Sequence, residues 1–453
     1  MDAPMTPFIK FFLALLACVF LVWFFGCGGG TVIEPNGFLY IANSFRPGSV
    51  SGFSVTEGAL GHLTNSPYIT GGNAPYSLAV VSNKFVYGGV PATSKGGVIT
   101  RLLGRTLSGS VTGGIVMMSI TQQSQSEEQL NLPPNTPQMF ATGGDYDPVV
   151  VTPGGGFLYA ADLTTNHVAA FSIDSSKGTL TAVGPQGPPV GMAVGPDPFN
   201  VTIDPQGKFL FVANCDFTSP SNRGSVSVFA INSDGTLTAA PGSPFLIGPD
   251  ASPGASHPVG LAVSPDNAFL FIASLDDKVY VESISGTGVL TDAIPGTPSV
   301  SVPAGSTPVS VAVSIDGGNT VYTGNAGTQN VSFLLNCVQP LATRPSPCSG
   351  VPGPLAFQNN ISVGGTVGIL LADPTSIPAS TNVSAIAVGH FLYATDYDHG
   401  VVVSFVVTST TACSGYPNES VTTTCTPIPG TLTQNGVTSN SGGSSPYGMA
   451  MAH

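Results

Sequence analysis

Charge is scarce in this chain. Only 8% of its 453 residues are Asp, Glu, Lys or Arg, where an ordinary soluble protein carries about 25%. Bases are scarcest, with 11 Lys and Arg against 24 Asp and Glu and a formal net charge of −13. Without a basic stripe to neutralise phosphates, a nucleic-acid partner is excluded, and the thinly spread acidity serves to keep a polar-neutral surface soluble. A sustained helical period is missing after residue 30, which argues against helical architectures. Several kinds of chemistry lack their spacing as well. No CxxC or Cys/His pattern offers ligands to zinc, and no DxDxDG-like run offers a calcium loop. GxSxG, HExxH and P-loop patterns are all absent, so no cofactor and no metal is expected.

What is present are turns and short apolar runs. Gly (57) and Pro (40) are abundant, and alternating apolar stretches sit between Gly/Pro/Asn/Asp turns throughout. Disorder is disfavoured by a hydrophobic content of 42%, too much apolar surface to leave in water. The chain reads as all-β.

At the N-terminus Lys10 precedes the apolar run "FFLALLACVFLVWFFG", followed by "CGGG". The run has the length of a signal-peptide core and is short for a membrane span of roughly 20 residues. Gly26-Cys27 resembles a bacterial lipobox, whose Cys takes a lipid and becomes the new N-terminus, although Phe24 sits where Leu is usual. Residues 1–26 are read as a lipoprotein-type signal peptide and 27–33 as a Gly-rich tether; plain secretion and an uncleaved anchor are the alternatives. The expected location is the cell envelope, lipid-anchored on the periplasmic or outer-membrane side, or secreted. Of the remaining cysteines, Cys337 and Cys348 bracket one Pro-rich loop and Cys413 and Cys425 another. Each local pair closes a loop of about a dozen residues, a disulfide worth roughly 3 kcal/mol in an oxidising compartment. Four cysteines allow three pairings, and the local one is adopted. Cys215 is left over.

The chain repeats itself. "FLYIAN" (38–43), "FVYGGV" (85–90), "FLYAAD" (157–162), "FLFVAN" (209–214), "FLFIAS" (269–274), "TVYTGN" (320–325) and "FLYATD" (391–396) are seven copies of one anchor. Most follow a Pro-led apolar run such as "PFNVTI" or "PVGLAV", with "PVVVTP" and "VSAIAV" (383–388) as looser versions. Most precede a third run such as "SVSVFAI", and a fourth run is faint, as in "SPYITGG". Four short strands in each of seven units is the pattern of a seven-bladed β-propeller with four-stranded antiparallel blades. The first anchor lacks an inner strand, while the terminal "PYGMAM" has no anchor after it. The C-terminal strand is therefore expected to pair into the N-terminal blade and close the ring, leaving residues 34–453 as a single propeller domain without free sheet edges.

With strands named a to d from the axis outward, the d–a and b–c connections share one face. Residues 91–114 and 215–224 read as long b–c loops of blades 2 and 4, and 364–381 as a long d–a loop leading into blade 7. Both cysteine pairs fall in c–d hairpins on the opposite face. Asn43, Asp162, Asn214, Asn325 and Asp396 recur at the end of strand b and read as turn architecture, bonded to nearby backbone. Candidates for function are instead unique to one blade on the loop-rich face: Asp145, Asp147, His167, Asp197, Asp216, Arg223, Asp250, His257, Asp276, Asp277, Asp373, Asp398 and His399, with Lys95, Arg101 and Arg105 in the blade 2 insertion. His257 opens an inner strand, where it is either a solvated loop histidine or a base partnered by a residue such as Asp250.

The repeats "PVGLAVSPDNAFLFIAS" and "PFNVTIDPQGKFLFVAN…GSVSVFAINSDGTLTAAPGSPF" resemble the lactonase family of seven-bladed propellers, and are similar to the related YVTN-type surface repeats. The resemblance spans about residues 31–453 and implies the fold. It also implies activity like that of bacterial 6-phosphogluconolactonase and muconate-cycle enzymes, with His, Arg and Glu around the channel mouth. Residue by residue those positions are mostly replaced. Asp147 stands where the family has His, Asn166-His167 replaces Asp-Arg, Phe199-Asn200 replaces Arg-His, and Asn214-Cys215 replaces Asn-Glu. Lactone hydrolysis needs a base for water and a donor for the oxyanion, and Phe199 supplies neither. The reading is an exported, lipid-anchored scaffold that binds a glycan, a peptide or another envelope protein on its loop-rich face, as a monomer. Asp145, His167, Asn200, Asp216 and Asp276 are the ligand-face candidates. The alternative is a lactone hydrolase with a rearranged site around Asp147, Arg223 and His257, so that whether the chain is an enzyme stays open.

Overall fold

Most of the alternating runs form strands, and within a sheet most neighbouring strands follow one another in the chain. The computed structural model describes residues 37–452 except 45–47, 57–58, 72–73, 93–112, 125–126, 133–138, 141–143, 188–190, 218–221, 249–255, 314–319, 339–353, 363–366, 373–389, 397–400, 409–410, 414–424, 428–430 and 441–445. The expected signal peptide and tether, with Cys27, lie outside the described residues, as do Lys95, Arg101, Arg105, Asp250, Cys348, Asp373, Asp398 and His399. The strands make seven antiparallel sheets of four or five strands and one two-stranded sheet. The chain is an all-β propeller, and Pro35–His453 is one compact unit.

Blade 4 shows the pattern. Pro198–Ile203 (a) pairs with Phe209–Asn214 (b), b with Ser225–Ile231 (c), and c with Leu237–Ala239 (d). Blade 3 repeats it with Tyr146–Val151, Phe157–Asp162 and His167–Ile173, and blade 5 with Pro258–Val263, Phe269–Ser274 and Lys278–Ile284. The last strand, Pro446–Ala452, runs antiparallel to Gly37–Asn43 with Leu39 opposite Met451 and Ile41 opposite Met449. Strand b is buried on both faces because each face meets a neighbouring sheet. Apolar clusters accordingly form between consecutive sheets, as between blades 4 and 5 (Phe211, Val228, Leu261, Ile272), and also between blade 7 and blade 1 (Tyr393 and Val402 with Leu39 and Phe53).

Polar side chains fix the turns. At the a–b turns Thr152 Oγ1, Asp204 Oδ1 and Ser264 Oγ each accept the N–H of the residue opening strand b. At the end of strand b Asp162 accepts the backbone N–H of Thr164 and Thr165, an Asx turn as expected. The asparagines there act differently. Asn214 Nδ2 donates to Ser225 and Ser227 Oγ, both at 3.0 Å, and Asn43 Nδ2 to Ser49 and Ser51 Oγ at 3.0 and 2.8 Å. They tie strand b to strand c through side chains rather than bonding nearby backbone.

Two expectations are corrected. The fourth strand is split in five of the sheets: in blade 4 Phe245–Leu246 pairs with strand c separately from Leu237–Ala239. A proline lies in the gap there (Pro244), as Pro67 does in blade 1, and neither can donate to a ladder. In blade 7 the inner strand is Val367–Ala372, paired to His390–Asp396, not the run at 383–388. Part of the stretch read as a d–a loop, Val367–Ala372, is therefore this inner strand. Neither run carries the proline that marks inner strands elsewhere, which left the sequence without a cue to choose between them.

Candidate functional site

The b–c and d–a connections meet on one face through repeated backbone bonds. The N–H after strand b donates to the d–a connection in three consecutive blades: Leu163 to Asp145 O (3.2 Å), Cys215 to Asp197 O (3.0 Å) and Leu275 to His257 O (3.1 Å). Side chains on this face also latch one blade to the next. Asp277 accepts Gly305 and Thr307 N–H, both at 2.7 Å, and Asn166 Oδ1 accepts Asp197 N–H at 3.1 Å. Asp277, a candidate by sequence, is a structural latch.

Inner strands of blades 3 to 6 share a register irregularity just after their first pair. The residue after that pair is Asp147, Phe199, Val259 and Val309 in turn, and all four are buried. Phe199, Cys215 and Val259 form one apolar cluster, with Leu163, Phe217 and Leu275 packed against it. Asp147 is the exception in this layer. Burial and the neighbouring Asp145 charge push its carboxyl up to about 8, since both disfavour a second anion. The Asp145 carboxylate accepts Ala92 N–H at 2.8 Å and Thr164 Oγ1 at 3.1 Å.

His257 lies in the d–a connection with its Nδ1 2.7 Å from Cys215 O and its ring stacked on Phe217, centroids 5.8 Å apart. A carbonyl only accepts, so Nδ1 carries the proton and the neutral ring keeps its lone pair on Nε2. Its fixed partner is thus the blade 4 loop, which Asp197 also orders by accepting Phe217 N–H at 2.9 Å. Arg223 donates through a guanidinium nitrogen to Gly248 O. Nearby, Asp276 Oδ2 accepts Lys278 Nζ and Tyr280 Oη, both at 2.8 Å. Burial and the Asp276 charge raise the Tyr280 pKa, with Arg223 opposing.

The remaining candidates hold local structure. Asp216 has a φ of 50° and accepts Asn222 Nδ2 at 3.3 Å within its own loop. His167 Nδ1 donates to Thr165 O at 2.6 Å across its own turn. Asn200 pairs with Ala213, half-buried, one residue beyond Phe199. The structure therefore joins Asp145 with Asp147, His257 with Cys215 and Phe217, and Asp276 with Lys278 and Tyr280. Sequence reasoning missed the apolar cluster, although a signal was present: the residue after the anchor is Leu163, Cys215 and Leu275 in three consecutive repeats.

A sheet-built propeller whose loop-bearing face gathers such a layer is the setting in which relatives become informative. The model of the family described as "Lactonase, 7-bladed beta-propeller" matches residues 106–334, just over half of the chain, and the chain belongs to that family. No curated protein matches it. Its fold is similar to that of a putative 6-phosphogluconolactonase from Bacteroides uniformis (15% identity, 92% of this chain and 100% of that one, TM-score 0.58). It is also similar to the periplasmic gluconolactonase of Pseudomonas aeruginosa (17%, 92% and 99%, TM-score 0.57) and to a protein from Lactobacillus plantarum (15%, 92% and 99%, TM-score 0.57). At these identities the likeness shows the fold alone. Among the described residues no helix is long and apolar enough to cross a membrane.

Proposed function

We propose that this lactonase-family propeller binds a ligand on its loop-bearing face and does not turn it over. The observation that carries the reading is the apolar cluster of Phe199, Cys215 and Val259. The sequence resemblance puts the family's Arg and Glu at Phe199 and Cys215. Apolar groups packed together there provide neither a base for water nor a donor for an oxyanion. The ligand is a glycan, a peptide or another envelope protein, and the propeller acts as a monomeric scaffold. In this reading the seven sheets are seven blades, and the pairing of the last strand with the first seals the ring.

Export goes with this role. Cys337 is disulfide-bonded, with Cys348 as its proposed partner, and Cys413 lies directly opposite Cys425 in an antiparallel pair. Opposed residues in such a pair have Cα atoms about 4.5–5.5 Å apart, within the span of a disulfide. Such bonds persist in an oxidising compartment. A lipid on Cys27 would hold the propeller at the envelope. Mass spectrometry of the mature N-terminus tests this directly, and an unmodified N-terminus downstream of Cys27 would remove the anchor.

A second reading, lactone hydrolysis by a rearranged site, is favoured by the tautomer of His257, whose Nε2 is left able to accept a proton. A panel of sugar and aromatic lactones separates the two readings. Binding without turnover is expected; turnover that disappears in Asp147→Asn, Arg223→Ala or His257→Ala would overturn the binding-only role.

A further inference from the structure

The outermost strand of a sheet turns backbone N–H and C=O groups outward, a template on which another chain can add a strand. In blade 4 that strand begins with Leu237–Ala239. Asn232 N–H donates to Thr236 O and Ala240 N–H to Val228 O. By the alternation of an antiparallel ladder, the backbone groups of Leu237 and Ala239 therefore point away from strand c. Those of Leu237 are not left open. Gln186 Nε2 donates to Leu237 O at 2.8 Å, and Gln186 Oε1 accepts Leu237 N–H at 2.5 Å. One side-chain amide takes both bonds that a residue of an added strand would take.

Gln186 comes from blade 3. It ends a 3-10 turn, Gly184–Gln186, in the gap between the two pieces of that blade's outer strand, Leu180–Ala182 and Met192–Ala193. Val183, which opens the gap, is buried in one cluster with Leu237, and Gln186 N–H donates to Val183 O at 3.1 Å. Blades 1 and 4 make the same backbone bond, Ser66 to Leu63 O and Ser243 to Ala240 O. Their serines turn inward instead, accepting Gly52 N–H at 2.9 Å and Val228 N–H at 2.8 Å. Blade 1 reaches the edge of blade 2 through Tyr68, whose Oη is bonded to the Leu130 backbone and lies 3.3 Å from Glu128 O. The blade 4 edge has most need of cover. Outer strands of blades 2 and 5 carry Glu127 and Asp292, whereas "LTA" and "FL" in blade 4 carry no charge and Leu246 is 58% exposed.

We propose that Gln186 is an edge cap, occupying the Leu237 backbone groups so that the outer strand of blade 4 does not receive a strand from a second copy of the chain. The inference concerns the outer rim and stands apart from what the loop-bearing face binds.

The test compares the full mature protein with Gln186→Ala by hydrogen exchange and by light scattering over a rising concentration series. In Gln186→Ala the segment carrying Leu237 is expected to exchange about tenfold faster than in the parent, with strand b of the blade unchanged. A dimer that grows with concentration should appear. Ala239→Pro added to this variant removes another outward N–H without touching the bonds to strand c, and should return the protein to monomer. Gln186→Glu keeps an acceptor for the Leu237 N–H and should exchange like the parent, which separates loss of the cap from a general loosening of the blade. Unchanged exchange in Gln186→Ala, or exchange in Gln186→Glu as fast as in Gln186→Ala, overturns the cap. Faster exchange without a dimer, or a dimer that survives Ala239→Pro, overturns the edge as a template for a second copy.

Discussion

Glu282 sits on strand c of blade 5 opposite Leu270. The same register position holds Phe53, Met118, Phe171, Phe229, Leu334 and Phe405 in the other blades, all buried, and Glu282 is itself only 4% exposed. It faces Asp292 across the ladder, a like-charge pair that is unfavourable when both are ionised. Burial, then the Asp292 charge, push Glu282 up to about 8, alongside Asp147 at about 8. Both are acids whose folded form holds the proton more tightly than the unfolded chain does. Their contribution to stability is therefore full below about pH 4, falls as pH rises, and levels off above about pH 8. Urea unfolding should show the protein more stable at pH 5 than at pH 8.5. Glu282→Leu should raise stability by roughly 2–4 kcal/mol at pH 8.5 and by less at pH 5; an equal gain at both would show that the carboxyl does not titrate in this range. The exception at Glu282 was open to reading in the sequence, since "KVYVESI" alone among the third runs carries a charge at that place. Its burial was not, because that depends on the facing blade.

At the scale of the element, one contact is repeated from blade to blade. The phenylalanine that opens strand b packs on the glycine of the next blade's c–d turn: Phe85 on Gly178, Phe157 on Gly235, Phe209 on Gly288. Those glycines have φ of 71°, 84° and 82°, and a Cβ there would fall 2.6, 2.3 and 2.9 Å from the ring. Tyrosines at the centre of strand b reinforce the contact, Tyr87 Oη donating to Gly178 O at 2.7 Å and Tyr159 Oη to Gly235 O at 2.9 Å. Blade 4 has Phe211 instead of tyrosine, and Lys208 Nζ reaches the next turn at Gly286 O, 2.7 Å away. Gly235→Ala should destabilise by roughly 2 kcal/mol or more, from left-handed strain plus overlap with the ring. Gly154→Ala, with nothing near its Cβ position, should stay within about 0.5 kcal/mol. Comparable melting temperatures for the two variants would remove the turn from its proposed role. The "SDGTL" signature made the turn legible, whereas the aromatic resting on it comes from another repeat and was not.

For the whole molecule, the seam between the ends of the chain matters most. Pro446–Ala452 supplies the inner strand beside Gly37–Asn43, and the blade 7 to blade 1 cluster includes Met449. On the far side of blade 1, Tyr40 Oη donates to Glu128 Oε2 at 2.6 Å, and burial raises the pKa of both groups. Deleting 446–453 would leave Gly37–Asn43 with an open edge, a template for pairing with another chain. The truncated protein is expected to oligomerise on size exclusion and to unfold in more than one step; a monomer with unchanged melting would show that the seam is dispensable.

The spacing of the anchors determined by itself that this chain is an all-β propeller, because each repeat buries two faces and only neighbours of the same kind can cover them. The lactonase resemblance and the echo between the two ends of the chain lay in the same local pattern. What only tertiary structure decided was the environment of single side chains. Asp147, Asp276 and Asp277 look alike along the chain, yet one is buried beside a second carboxyl, one is bound to a lysine and a tyrosine, and one holds the next blade's loop. The groups that meet Asp147 and Asp276 lie within four residues of them, whereas Asp277 accepts the N–H groups of Gly305 and Thr307. Which of these contacts forms, and how deeply each carboxyl is buried, follows from how the turns and neighbouring sheets pack.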